Sequence, residues 1–211
     1  MSGEGTPPLT ILIQGGIASG KSTIARLLAE QGATFVDCDR LAHEELERDA
    51  VRAQLRDEFG PAVLDADGHV DRKALGDVVF EDPAALKRLE GLIHPRVATR
   101  VQQVLEAHRA PSGERRRVVV VDAAVAEKMA LTDRYDIKVF VASSPEVRRR
   151  RAETIRGWKP GELERREARQ EPPGAKERRA DYVIRNDGDL EEAEGHVKRF
   201  WSDVVEPRRQ G

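Results

Sequence analysis

Cysteine occurs once in these 211 residues, as Cys38, which excludes an internal disulfide framework and a zinc site built on several thiolates. Aromatic residues make up only 4% of the chain. Long apolar runs are missing too: none approaches the roughly 20 residues of a membrane span, and the start of the chain lacks a secretory-signal pattern. A basic excess is also absent. With 36 Lys and Arg against 38 Asp and Glu the net charge is −2, which argues against a general nucleic-acid binder. No internal repeat stands out. The expectation is a soluble, cytoplasmic protein with no nucleic-acid or membrane partner, monomeric with an oligomer left open. Its length allows one substantial core with an inserted subdomain.

Against these absences, one stretch is dense with meaning. Gly15-Gly16-Ile17-Ala18-Ser19-Gly20-Lys21-Ser22, followed by Thr23, matches the phosphate-loop pattern G-x-x-x-x-G-K-[ST]. Its glycines let successive backbone N–H groups converge on phosphate oxygens. Lys21 reaches the β- and γ-phosphates, and the Ser22 hydroxyl is placed to ligate Mg²⁺. The flanks agree. Leu9-Thr10-Ile11-Leu12-Ile13 reads as a buried strand running into the glycines; Ile24, Leu27 and Leu28 then share a helical face that Gly32 stops. Strand, loop and helix predict a bound nucleoside triphosphate resting on a helix N-terminus.

Residues 1–8 read as a disordered lead-in. Ala33-Thr34-Phe35-Val36 is a second strand ending in Asp37-Cys38-Asp39, and ligands bind beyond the carboxyl ends of such strands. Either carboxylate is therefore placed to orient or deprotonate an acceptor hydroxyl or to support Mg²⁺. The plainer alternative makes Asp39 the cap of a helix beginning at Arg40. Cys38 reads as a packed small residue. Residues 40–110 read as mostly helical, with Asp71 and Asp82-Pro83 as helix starts and His94-Pro95 as a break before a further helix from Arg96 to His108. His69 and His94 fit either a structural role or a ligand contact.

Val118-Val119-Val120-Val121-Asp122 reads as a buried parallel strand whose carboxylate either supports Mg²⁺ or is structural. Ile137 to Ala142 is the next strand, and Ser144-Pro145 opens a helix carrying Arg148, Arg149, Arg150 and Arg151. That run suits a solvated helix face, or a lid bringing guanidinium groups onto a transferring phosphate. A loop follows at Gly157–Gly161, then a helix ending near Gln170, and Pro172-Pro173-Gly174; Tyr182-Val183-Ile184 is a last strand and Leu190 to Val205 a closing helix.

In this order the chain resembles the dephospho-coenzyme A kinase family. The resemblance rests on Gly15 to Thr23, on Val36-Asp37-Cys38-Asp39 leading to Leu41-Ala42-His43, and on Gly68-His69-Val70-Asp71-Arg72 with Leu75 and Phe80. It continues through Leu89-Glu90 and Ile93-His94-Pro95-Arg96-Val97 to Gln170, Lys176, Ala180-Asp181-Tyr182-Val183-Ile184 and Asn186. It implies an α/β fold: a P-loop kinase core with a parallel β-sheet flanked by helices, a helical substrate-binding insertion and a helical lid. The implied division is a core of 9–50, 114–144 and 178–211, a substrate domain of 51–113 and a lid of 145–177. The implied reaction passes the γ-phosphoryl group of ATP, with Mg²⁺, to the ribose 3′-hydroxyl of dephospho-coenzyme A.

By the same resemblance Asp39, Lys21 and Arg151 are catalytic, and Gly15 to Thr23 with Asn186 bind nucleotide. Asp37, Asp39, Asp71, Arg72, His94 and Glu127 contact the acceptor, and Ser22 and Asp122 hold the metal. The chain departs from the family pattern at Asp122–Glu127, which loses a proline and bulky residues, and at Gln14, where a threonine is usual. It departs again in the lid, where Arg151 pairs with Ile155 or, shifted by one residue, with Arg156. The alternatives are a P-loop kinase for another nucleoside or small alcohol, or a nucleotide-dependent switch; no Asn-Lys-x-Asp guanine-reading segment supports the switch.

Overall fold

The computed structural model describes residues 5–123, 135–168 and 171–210. Five parallel strands form one sheet in the order β2-β3-β1-β4-β5: β1 (Leu9–Gly15), β2 (Thr34–Asp37), β3 (Val118–Asp122), β4 (Ile137–Ala142) and β5 (Tyr182–Arg185). Side-chain alternation explains why both faces are covered. Leu9, Ile11, Ile13, Val118 and Val120 enter one core, packed by α1 (Lys21–Glu30) and α9 (Leu190–Phe200). Leu12, Val119 and Val121 enter the other, packed by the helices that follow β2.

Those helices are α2 (Cys38–Leu46), α3 (Asp49–Phe59), α4 (Arg72–Glu81) and α5 (Pro83–Ala107). Asp71 caps α4, accepting from Lys73 N and Ala74 N at 2.9 and 3.0 Å, and Asp82 caps α5 ahead of its proline. Two expectations are corrected here. The cap of the helix after β2 is Asp37, whose Oδ1 accepts from Arg40 N at 3.0 Å, so Asp39 lies inside the first turn and is not the cap. Nor does His94-Pro95 break the chain into two helices, because α5 runs through Pro95. Ile93, Val97 and Val101 pin both sides of the proline into the core, and Arg96 Nη1 donates to the Leu92 carbonyl at 2.6 Å on the turn the proline loosens.

After β4, Ser144 caps α6 (Pro145–Arg156), donation coming from Val147 N at 3.3 Å. Two short helices follow, α7 (Glu162–Glu167) and α8 (Pro173–Arg178), with Gln170 outside the described residues. The helix at Pro173 was not expected from Pro172-Pro173-Gly174; a proline at the first helical position needs no amide bond. Beyond α9 the chain widens into a π-turn at Trp201–Val205 and ends in α10 (Glu206–Arg208). Within the expected lead-in, Thr6 exchanges 2.8 Å backbone hydrogen bonds with Ala110. Among the described residues no helix is long and apolar enough to cross a membrane.

Candidate active site

The P-loop turns at the carboxyl end of β1, in the middle of the sheet, and delivers Lys21 as the first residue of α1. Lys21 folds back to donate from Nζ to the Gly15 and Gly16 carbonyls at 3.2 and 3.1 Å. Burial pushes its ammonium pKa down, with Asp122 and Asp39 opposing that and Arg156 adding to it. Gly20 must be glycine: its φ is +90°, and a Cβ there would lie 2.1 Å from Asn186 Nδ2. A Cβ on Gly15 would meet Ser19 Oγ and the Val141 carbonyl, each at 2.7 Å. Ala18 takes the left-handed conformation without being glycine, at φ 59°. It is held there by packing against Ala152 of α6 and Leu163 of α7.

A long-range knot fixes the far side of the loop. Asn186 Nδ2 donates to the Ser19 carbonyl at 2.8 Å. Arg151 Nη1 donates to the Asn186 carbonyl at 2.9 Å and to the Ser19 carbonyl at 3.3 Å, and its Nη2 to the Gly188 carbonyl at 3.4 Å. Ser143 Oγ joins the same two carbonyls, Ser19 and Asn186, at 3.1 and 2.7 Å. Arg148, 9% exposed, braces the loop near Gly16 and pairs with Glu167 of α7, while Arg149 pairs with Glu164. Sequence reasoning passed over Ser143 and the pairing of α6 to α7; the signal available was a polar Ser143-Ser144 directly after a buried strand.

On the opposite side of β1, strand β3 ends at Asp122, whose carboxylate accepts from Ser22 Oγ at 3.4 Å. Burial pushes Asp122 up to about 6, helped by Asp39 and Asp37 and opposed by Lys21. Asp39, exposed, therefore lies in the field of both Lys21 and Asp122. Cys38 between the two aspartates is buried, and its thiol is pushed up to about 12, first by burial. It is packing, not a nucleophile.

The site therefore gathers Gly15 to Thr23, Arg151, Asn186, Asp37, Asp39 and Asp122 at the carboxyl end of the sheet. Asp71 stands apart as a helix cap, with Arg72 exposed beside it, and His94 is half-buried in α5. Glu127 lies outside the described residues. The residues present fit a nucleotide phosphate with Mg²⁺. Ser19 Oγ is buried with no hydrogen-bond partner, an acceptor-donor waiting in the cradle. Ser22 and Asp122 offer two hard oxygen donors, and no group of three or more His, Cys, Asp or Glu among the described residues could hold a metal by itself. That suits an ion whose shell is completed by phosphate oxygens and water. A cavity of about 390 Å³ opens from this loop toward the start of α9, a volume suited to a small ligand.

Comparison with known proteins follows the same lines. A family model described as dephospho-CoA kinase matches residues 9–192. The dephospho-CoA kinase of Leifsonia xyli subsp. xyli is 39% identical over 90% of this chain and 96% of its own length. That of Streptomyces avermitilis is 36% identical over 96% of this chain and 97% of its own. Among solved structures, TT1252 from Thermus thermophilus superposes with a TM-score of 0.78 at 34% identity, covering 93% of this chain and 98% of that one.

Proposed function

The chain belongs to the dephospho-CoA kinase family, and from that premise we propose that it moves the γ-phosphoryl group of ATP onto the ribose 3′-hydroxyl of dephospho-coenzyme A, giving coenzyme A and ADP. The observation that carries the reading is the convergence of Lys21, the Ser22–Asp122 pair and Asp39 at the carboxyl ends of β1, β2 and β3. A triphosphate seated in the loop has its outer phosphate toward Lys21. Asp39, in the first turn of α2 just beyond the end of β2, receives the proton of the attacking hydroxyl. Lys21 balances the charge spread over the transferring phosphoryl oxygens, and Arg151, held on the Ser19 and Asn186 carbonyls, adds positive field from behind the loop. Ser22 and Asp122 would hold Mg²⁺, which neutralises charge on the phosphates when bound.

In this reading residues 9–50, 114–144 and 178–211 form the nucleotide-binding core, 51–113 present the acceptor, and 145–177 close over it. Asp37, Asp71, Arg72, His94 and Glu127 are assigned to the acceptor side. Arg72 supports that assignment as an exposed guanidinium. The experiment is ADP formation with ATP and Mg²⁺, comparing dephospho-coenzyme A, adenosine, deoxynucleosides and no acceptor, with coenzyme A confirmed by mass. Turnover confined to dephospho-coenzyme A is expected, and Lys21→Ala should abolish it. Equal turnover with any alcohol, or wild-type rates in Lys21→Ala, would overturn the assignment.

A further inference from the structure

The cavity beside the P-loop has two chemically different ends, and the inference drawn from them rests on the nucleotide site proposed above. Lys21, Ser22 and Thr23 line one end and take the phosphates, so the nucleoside extends toward the other, walled by Ile155, Leu190 and Ala193. Two of these are large apolar side chains left in water: Ile155, on α6, is 76% exposed, and Leu190, the first residue of α9, is 57% exposed. Their place on the wall of a nucleotide-sized cavity gives that exposure a purpose, since the flat face of a base covers apolar surface. No aromatic side chain lines the cavity among the described residues.

Side-chain recognition of the base edge has little to work with on the same wall. Asn186 Nδ2 is committed to the Ser19 carbonyl at 2.8 Å. Arg151 is committed to three backbone carbonyls, Ser19, Asn186 and Gly188. Asp189 Oδ1 accepts from Glu192 N at 3.0 Å as the cap of α9. Its other oxygen belongs to an exposed carboxylate, which accepts equally from the adenine amino group or from guanine N1 and N2. Arg26 and Arg156 are exposed as well, and water competes for their remaining donors. Strong discrimination requires buried polar groups that the wrong base would leave unpaired; apolar contact alone separates ligands by only about 10–200-fold.

We propose that the donor base is held by its faces against Ile155 and Leu190 and is not read at its edge, so that the enzyme takes purine nucleoside triphosphates as a class and uses GTP as well as ATP. The chemistry is the same for both. The acceptor oxygen bonds to the γ-phosphorus, the bond to the bridging oxygen breaks, the hydroxyl proton goes to Asp39, and the nucleoside diphosphate leaves.

The test has two arms. Coenzyme A formation is measured with ATP and with GTP, and the binding of each nucleotide with Mg²⁺ is measured by calorimetry without acceptor. Values of kcat/KM and of Kd within about 200-fold of each other, the limit that apolar contact alone sets, are expected. Leu190→Ala, exposed and at a helix start, should raise the Kd of ATP and GTP together by about tenfold, with Leu190→Met restoring both. GTP weaker than ATP by about 10³ or more in both arms, or a Leu190→Ala effect on one nucleotide only, would overturn the inference. Equal binding of both nucleotides with no coenzyme A formed from either sustains it and instead removes the acceptor assignment.

Discussion

Replacing Asp122 with Asn should make the ligand-free protein more stable while crippling it as an enzyme. The carboxyl sits behind Ser22 with its pKa raised from 3.8 to about 6, because burial and the neighbouring Asp39 and Asp37 outweigh the attraction of Lys21. At about 1.4 kcal/mol per pH unit, that interval corresponds to a gross penalty of about 3 kcal/mol for holding the ionised form in the folded chain. Asp122 is only half-buried, so solvent screening reduces the figure to about 1–2 kcal/mol. Lys21 keeps its two carbonyl acceptors in the variant, so no ammonium is stranded.

The sign follows from linkage. A carboxyl whose folded pKa is raised binds its proton more tightly in the native state, so the penalty is absent below about 3.8, grows between there and about 6, and is constant above. Thermal melts of wild type and Asp122→Asn, without nucleotide or metal, should differ by about 3–6 °C in favour of the variant at pH 7.5. The gap should shrink steadily as pH is lowered toward 4.5. Turnover at pH 7.5 should fall by about 10² or more as the metal loses a donor. An Asn variant equally stable or less stable at pH 7.5, or a gap indifferent to pH, would refute the reasoning.

Gly20→Ala should cost about 2–3 kcal/mol in urea denaturation, combining a left-handed alanine with loss of the Asn186 contact; a wild-type midpoint would show that the loop relaxes freely. Asp39→Asn should lower kcat by about 10² or more while leaving the Kd for ATP unchanged, since the residue caps nothing; unchanged kcat removes it from proton transfer. Leu163→Ala should loosen α7 from Ala18 and Ala152, read as a red shift in Trp158 emission and faster proteolysis between residues 156 and 162. Unaltered emission would mean that the contact with Ala18 does not anchor this segment.

What was legible in the sequence is what local periodicity and chemistry encode. The run Leu9 to Ile13 is a buried strand because both of its faces are apolar, and the phosphate loop shows in its glycines, since Gly15 and Gly20 stand where a Cβ would collide. Capping was legible as a rule but not as a position: the sequence points to Asp39, whereas the cap is Asp37, extended at φ −96° and ψ 105°. Pro95 misled because a proline costs about 3 kcal/mol inside a helix, a cost that the packing of Ile93, Val97 and Val101 overrides. The knot of Ser19, Arg151 and Asn186 joins residues up to 167 positions apart, and no periodicity carries such a distance. The lid register was ambiguous for the same reason. In the structure Arg156 lies 5.2 Å over the Trp158 ring, and Ile155 joins it on the wall of the cavity.

The central place of β1 bears on how the molecule is made. Its hydrogen-bonded neighbours are Val118 to Asp122 on one side and Ile137 to Val141 on the other, so β1 is partnered only after the whole stretch up to β3 has been made. At about 5–20 residues per second, Leu9 to Ile13 waits roughly 5–20 s for β3. Such distant pairings also slow folding once synthesis is complete. The phosphate loop waits longer still, because its rear wall is Asn186. A nascent chain therefore carries the residues of a nucleotide site without the site itself, and captures no triphosphate until β5 and the Asn186 that follows it have emerged.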